Sequence, residues 1–262
     1  ETSPVTSLDI APVDGIAVQA MNLSRYEEGD KPQLFLMNET SYSAYPKVAA
    51  DTVLTIGEGA VLILHTHGTE AYLPDGAAYY DKDEDFRSDK EEETVVAVGA
   101  VFAKVLREAG IEVYHDRTMY DAANFENAYT AAREAAKRHI AEKPQIRYII
   151  DIHRDAVTDK DGNACKTLCR VNGEESAQVM LVVGTNEAGA AHQAWRENFC
   201  VASKYQRALN EYPTLARPIY LRKASYNQQL CKGAMLLEIG SAANTIGEAK
   251  TAARYAAECF VK

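Results

Sequence analysis

The chain has 262 residues, with 28 basic and 38 acidic side chains and a formal net charge of −10 at pH 7. This length suits one large α/β domain or at most two, and the 47% hydrophobic and 25% charged residues exclude a disordered chain. The acidic balance argues against a nucleic-acid partner, because phosphate contacts need clustered Lys and Arg. No apolar run reaches the roughly 20 residues that a helix needs to span a bilayer.

The beginning of the chain is irregular in its pattern. Residues 1–32 are mixed and turn-rich, and we predict a linker or a packed arm there, followed by a single domain over residues 33–262. Hydrophobic periodicity and capping signals then give the following elements in chain order. Strands are predicted over residues 33–37, 60–64, 111–114, 146–152, 218–221 and 235–239, and helices over 91–109, 128–142, 193–209 and 247–260.

This alternation of strands and helices defines the predicted fold class. It indicates an α/β protein with a mostly parallel, twisted sheet and helices on both faces. A hairpin insertion is expected near residues 165–184, with strands over 166–171 and 178–183 around a turn at 172–175. Ligands of parallel sheets bind beyond the carboxyl ends of the strands, so functional residues are expected at those ends.

Histidine and glutamate side chains stand at three predicted strand ends. His67 and Glu70 follow the strand at 60–64, His153 follows the strand at 146–152, and Glu238 lies in the strand at 235–239. A hydrolytic zinc site needs three ligands of the His and Glu kind and a further carboxylate as general base. These four residues supply that set. The alternative is a hydrogen-bonded loop histidine at 67 and a helix-start carboxylate at 70.

The neighbours of these residues leave further alternatives open. A carboxylate such as Glu238 is costly to bury alone, so it needs either the metal site or a salt bridge to Arg222 or Lys223 as its partner. His65 is either the last buried residue of its strand or a partner of a metal ligand.

The residues around His153 have two possible uses. Asp151 or Asp155 can orient a zinc-bound imidazole. Arg154 can bind a substrate carboxylate through its planar fork, or it can pair with Asp155.

Several blocks of the sequence resemble the stage II sporulation protein P family. The main ones are Val61-Leu-Ile-Leu-His-Thr-His-Gly-Thr-Glu-Ala-Tyr-Leu-Pro74, Ile149-Ile-Asp-Ile-His-Arg-Asp-Ala156 and Leu236-Leu-Glu-Ile-Gly240 with Asn244-Thr245. Shorter supporting blocks are Asn38–Tyr42, Val95–Gly99, His115-Asp116 with Asn127–Tyr129, and Tyr226–Gln228. The resemblance runs in order from about residue 33 to the end of the chain.

The resemblance implies a zinc-dependent N-acetylmuramoyl-L-alanine amidase. It implies a fold related to the cell-wall amidases and, more distantly, to zinc carboxypeptidases. The implied substrate is peptidoglycan, cut between the lactyl group of N-acetylmuramic acid and L-alanine. The implied setting is the extracytoplasmic face of the membrane during engulfment in sporulation, with a lytic transglycosylase as partner and an N-terminal anchor that would precede Glu1.

The resemblance also implies roles for individual residues. By position, His67 and His153 are zinc ligands and Glu238 is the general base. Glu70 is the favoured third ligand, because the block reads like the His-x-x-Glu of zinc carboxypeptidases. Residues that are alternatives for the third ligand or that would support the ligands are His65, Asp155, Asp89 and Glu91.

Substrate contacts are expected from Arg154, Asn227 and Gln228, which would bind the stem peptide. Two other functions remain compatible with the same residues. One is a zinc peptidase of the carboxypeptidase kind that acts on cell-wall peptides. The other is a wall-binding domain without catalysis, whose mark would be the loss of a ligand or of Glu238.

Overall fold

A computed structural model describes residues 59–81, 83–187, 189 and 191–262, together with the backbone of four short strands near the start of the chain. These strands are β1 Thr2–Pro4, β2 Thr6–Leu8, β3 Ile16–Ala20 and β4 Leu34–Met37. β3 pairs within the central sheet, between β4 and the strand Ile219–Arg222. The supporting block Asn38–Tyr42 lies outside the described residues.

The regular part of the chain contains nine strands and four α-helices. The strands are β5 Ala60–Leu64, β6 Tyr79–Asp81, β7 Val113–His115, β8 Ile146–Asp155, β9 Cys165–Val171, β10 Glu174–Ala177, β11 Val179–Gly184, β12 Ile219–Arg222 and β13 Gly233–Ser241. The helices are α1 Val95–Glu108, α2 Ala128–Glu142, α3 Trp195–Leu209 and α4 Ile246–Val261. The four predicted helices are confirmed. α1 begins later than predicted, because residues 91–93 form a 3-10 turn and the Thr94 side chain caps the helix by accepting from the Val96 N–H.

The predicted α/β architecture is confirmed. Among the described strands the central sheet has the order β4-β3-β12-β11-β13-β8-β5-β7, and it is parallel except at the pairs β3–β4 and β11–β13. Alternate residues of β5 enter two separate cores: Val61 and Ile63 pack with α1, α3 and α4, whereas Leu62 and Leu64 pack with α2. A strand that is buried on both faces needs a continuous apolar sequence, as β5 has.

The hairpin is present, but its second strand differs from the prediction. β9 pairs with β10 around Asn172 and Gly173, whose φ values of 51° and 87° are those of a tight two-residue turn. Glu174 and Glu175 therefore belong to the ladder and not to the turn. β11, predicted as the hairpin partner, is fully buried and instead joins the central sheet between β12 and β13.

The sheet topology brings the candidate site together. β5, β8 and β13 are adjacent and parallel, so their carboxyl ends lie at one edge. In the ladder Leu64 lies opposite Asp151, and His153 lies opposite Glu238. Within the described residues, no helix combines the length and apolar character needed to cross a bilayer.

Candidate functional site

His153 is held between two carboxylates at the end of β8. Its Nδ1 lies 3.3 Å from Oε2 of Glu70, and its Nε2 lies 3.0 Å from Oδ1 of Asp151. Burial opposes protonation of this imidazole, but the charges of Asp151 and Glu70 outweigh burial and hold the pKa of His153 well above its usual range. The two ring nitrogens are thus distinguished: one faces the predicted ligand Glu70, and the other faces an orienting aspartate.

Both carboxylates are fixed by hydrogen bonds from neighbouring strand ends. Asp151 accepts the Thr66 N–H at 2.9 Å and the Thr66 hydroxyl at 2.6 Å. Glu70 Oε2 accepts the backbone N–H of Arg154 at 3.1 Å. Burial raises the pKa of Glu70. The charge of His153, its hydrogen bond and the charge of Arg154 together outweigh burial, so the pKa of Glu70 is lowered overall.

His67 stands beside His153, with 5.4 Å between the ring centroids. Its Nδ1 lies 3.7 Å from Oδ2 of Asp121. Asp121 in turn accepts the N–H and the hydroxyl of Thr69 at 3.1 and 2.6 Å and the Nη1 of Arg87 at 2.8 Å. Sequence reasoning missed Asp121, because it lies in an irregular loop with no local pattern that links it to His67.

Glu238 completes the group on the neighbouring strand β13. Its Oε2 is buried and has no hydrogen-bond partner among the described residues. Burial, followed by the nearby charge of Asp155, raises the pKa of Glu238 to about 8, although His153 acts in the opposite direction. A carboxyl group with this pKa exchanges protons near neutral pH.

The salt bridge offered as an alternative for Glu238 is absent. Arg222 donates to the hydroxyls of Tyr226 and Tyr220, each at 2.9 Å. Lys223 pairs with Glu187 at 3.3 Å. Besides His153, the charge of Arg217 also lowers the pKa of Glu238, and sequence reasoning missed Arg217.

Tyr129, at the start of α2, forms the aromatic wall of the site. Its ring is stacked with that of His153 at 6.4 Å and meets the ring of His67 edge-on at 5.4 Å. Burial raises the pKa of the Tyr129 hydroxyl, and the charges of nearby carboxylates raise it further. The Asn127–Tyr129 block supported the family resemblance, but its spacing carried no indication of this contact.

Arg154, expected to contact substrate, is occupied by contacts within the fold. The side chain is only 8% exposed, and it donates to the backbone oxygens of Ala71 at 3.0 Å, Phe86 at 2.8 Å and Asp155 at 3.4 Å. The guanidinium is thus used to hold the segment after Glu70 against β8. The alternative of a pair with the Asp155 carboxylate is wrong, because that carboxylate binds Arg217 at 2.8 Å.

The loop residues Asn227 and Gln228 are also occupied by structural contacts. Gln228 is buried, accepts from the Gly184 N–H and donates to the Val182 oxygen, both at 2.9 Å. Asn227 donates to the Tyr129 oxygen at 2.8 Å. Both ends of the Gln228 amide are thus used on the carboxyl end of β11, which leaves Asn227 as the more accessible of the two expected donors.

The alternative ligands lie elsewhere. The Glu91 carboxylate binds Arg117, and Asp89 lines a groove beside the site. His65 is buried and uses its nitrogens on the Ile152 oxygen and on His115 Nε2, at 3.0 and 2.9 Å. Among the carboxylates considered as third ligand, Glu70 is therefore the one that the fold brings to His153. Of the two aspartates expected to orient the His153 imidazole, Asp151 is the one in contact with it, whereas Asp155 binds Arg217.

The donors at this edge fit a zinc ion by their type and by one spacing. Zinc prefers His nitrogen and Glu oxygen, and two ligands of a tetrahedral site stand about 3.3–3.4 Å apart; the Nδ1 of His153 and the Oε2 of Glu70 are 3.3 Å apart. The described part of the chain contains no group of three or more His, Cys, Asp or Glu side chains close enough to hold a metal as it stands.

The fold and the site together define an α/β protein with a histidine–carboxylate centre at its sheet edge. The family model for stage II sporulation protein P matches residues 18–261. The chain belongs to this family. Stage II sporulation protein P of Bacillus subtilis (strain 168) is 31% identical over 212 residues, which make up 76% of this chain and 50% of that relative. The chain thus spans about half the length of the curated relative that it matches.

Solved amidase structures are similar to the chain at a low level. N-acetylmuramoyl-L-alanine amidase AmiC2 of Nostoc punctiforme is 13% identical, with 78% of this chain and 94% of that chain covered and a TM-score of 0.41. The apo amidase Ami1 from Mycobacterium abscessus is 12% identical, with 78% and 95% covered and a TM-score of 0.44. The amidase from Clostridium difficile 630 is 13% identical, with 78% and 94% covered and a TM-score of 0.41. At these values the likeness does not bear on activity.

Proposed function

We propose that the chain is the catalytic domain of a zinc-dependent N-acetylmuramoyl-L-alanine amidase that acts on peptidoglycan in sporulation. The observation that carries the proposal is the meeting of His67, Glu70 and His153 with Glu238, whose pKa is raised to about 8, at one sheet edge of a member of this family. Residues 33–262 would form this domain, with an arm before it.

His67, Glu70 and His153 would hold the zinc. Bound there, zinc supplies a Lewis acid for the scissile carbonyl and lowers the pKa of water. Asp151 would orient His153, and Asp121 would orient His67. Each aspartate is itself fixed by a hydrogen bond from a threonine hydroxyl.

Glu238 would move the protons of the reaction. The bond that breaks joins the lactyl carbonyl carbon to the L-alanine nitrogen, and the oxygen of water forms the new bond to that carbon. Glu238 accepts one proton from the attacking water and gives it to the departing nitrogen. A pKa of about 8 suits both halves of this transfer near neutral pH, because neither protonation state is strongly disfavoured.

The surroundings of the reaction are further parts of the proposal. We propose peptidoglycan as substrate, in keeping with the family to which the chain belongs. A lytic transglycosylase as partner and the extracytoplasmic face of the membrane as location, with an N-terminal anchor, are proposed from the sequence resemblance alone. These features belong to the whole protein. The curated relative is about twice as long as the segment in which it matches this chain.

The test is product analysis on purified peptidoglycan by mass spectrometry, with the zinc-loaded chain beside its Glu238→Gln variant. An amidase frees the amino terminus of L-alanine from muramic acid, and the variant should not. Release of a terminal amino acid instead would indicate the carboxypeptidase-like alternative. Binding to the wall without any cleavage would support the non-catalytic alternative.

A further inference from the structure

The polar groove lined by Asp89 opens beside His67. It is a cavity of about 500 Å³, lined among others by Arg87, Asp89, Asp121 and Phe125. Its size is that of a pocket for a small ligand or a peptide side chain. The metal-site proposal does not use Arg87, Asp89 or Phe125 as ligands or as a base.

Phe125 joins the groove to the candidate site. Its ring is stacked on the ring of His67 at 4.5 Å and an angle of 19°, and the guanidinium carbon of Arg87 lies over the Phe125 ring at 4.5 Å. Phe125 is nevertheless 53% exposed. Arg87 is therefore one aromatic ring away from His67.

Arg87 is held in place and keeps a free edge. Its Nη1 donates to the Thr69 hydroxyl and to Oδ2 of Asp121, both at 2.8 Å. Across the described ranges, no acceptor takes its Nε or Nη2. These two groups form the side of the guanidinium that binds a carboxylate with two parallel hydrogen bonds. Since Nη1 already fixes the side chain, little entropy is lost when this edge binds.

Asp89 supplies the opposite charge in the same groove. It is exposed, and no cation of the described residues forms an ion pair with it. The charge of Asp121, by contrast, is already met by Arg87 and by the Thr69 hydroxyl. The groove thus offers one free cationic edge, on Arg87, and one free carboxylate, on Asp89. A ligand that carries both an ammonium and a carboxylate complements this arrangement.

We propose that this groove binds the side chain of a diamino-dicarboxylic residue of the stem peptide, such as diaminopimelate, with its carboxylate on Arg87 and its ammonium on Asp89. The inference rests on the proposed function. Two residues of extended peptide span about 7 Å, so a residue two positions beyond L-alanine reaches a groove that is one ring away from His67.

The test measures binding separately from cleavage. Calorimetry with the zinc-loaded Glu238→Gln variant compares three muramoyl peptides whose third residue is diaminopimelate, its side-chain carboxamide or lysine. Loss of one charge-assisted pair should weaken binding about 10- to 100-fold for the carboxamide and for lysine. Adding Arg87→Gln should remove the discrimination between the free acid and the carboxamide. The matched control is Arg170→Gln, an exposed arginine on the distant hairpin, which should keep that discrimination.

Further measurements distinguish the subsite proposal from the amidase proposal, and the role of Arg87 from that of Asp89. Asp89→Asn should remove the preference for diaminopimelate over an analogue with an acetylated side-chain amine. Equal affinity for the three peptides, or an unchanged ratio in the Arg87→Gln variant with its zinc retained, would overturn the subsite. If the wild type cleaves all three peptides equally well, the subsite fails while the amidase stands. If no peptide is cleaved but the variant still discriminates, the amidase fails while the subsite stands.

Discussion

Thr66 donates both its backbone N–H and its hydroxyl to the carboxylate of Asp151, at 2.9 and 2.6 Å. Three residues later, Thr69 makes the same pair of bonds to Asp121, at 3.1 and 2.6 Å. Each aspartate faces one of the two histidines of the site. A single turn after β5 therefore orients both imidazoles through two aspartates from distant parts of the chain.

This relationship predicts that the aspartates contribute to metal affinity. Asp121→Asn and Asp151→Asn should each lower zinc affinity about 10- to 100-fold, because a carboxylate behind the ring orients a ligating histidine and increases its basicity. Competition with a chelating dye measures this. Asp161→Asn, in an exposed turn, is the control. Wild-type affinity in both aspartate variants would contradict the assigned arrangement.

Glu238→Gln should leave zinc binding intact and lower turnover about 10²- to 10⁴-fold, because the amide cannot accept and return a proton. Zinc content and initial rates on muramoyl peptides measure the two effects. Unchanged turnover would remove Glu238 from the proton transfer.

Arg154 is expected to matter for stability. Arg154→Met should lower the free energy of unfolding by about 2–3 kcal/mol, because buried backbone oxygens lose a charged donor. Urea unfolding of the metal-free protein measures this, with the exposed Arg170→Met as control. A variant with full stability and a raised KM alone would return Arg154 to the substrate site.

The neighbouring pair His65 and His115 predicts a pH dependence of stability. Burial lowers the pKa of His65 from 6.5 to about 4, and burial together with His65 lowers that of His115 to about 3. The unfolded chain takes up these protons below pH 6.5 and the folded chain does not, so the pair costs stability as pH falls from 6.5 towards 4. Above pH 6.5 both states are unprotonated and the effect vanishes.

Comparison with a variant isolates this effect from the opposite contributions of Glu238 and His153, whose pKa values are raised. In metal-free protein, His115→Gln should reduce the loss of unfolding free energy between pH 6.5 and 4. Parallel stability curves for the wild type and the variant would show that His115 does not remain neutral in the fold.

Sequence reasoning reached the fold and the centre of the site because both follow from local patterns. Continuous apolar runs such as Ala60–Leu64 identify strands that are buried on both faces. Parallel neighbours then force His67, His153 and Glu238 to one edge. The second strand of the hairpin was misplaced because a four-residue turn was predicted. The turn has only two residues, Asn172 and Gly173, so the second strand begins at Glu174.

The remaining site residues depend on tertiary contacts that no local pattern encodes. Asp121 reaches His67 from a loop, and Arg87 reaches Asp121 from another. Arg154 and Gln228 have side chains suited to substrate binding, but the fold uses their donors on backbone oxygens. A polar residue near a site has the same sequence signature whether it faces the ligand or the backbone.

The most direct test of the central claim is the zinc content of the purified chain after extensive dialysis, for the wild type, for His153→Ala and for His139→Ala. His139 is a half-buried histidine of α2 that pairs with Asp116 and that we do not assign as a ligand, and its variant is the control. We expect about one zinc in the wild type and in the control, and none in His153→Ala. A full equivalent of zinc retained by His153→Ala, or no zinc in any form after zinc is added back, would contradict the assignment of this edge as a metal centre.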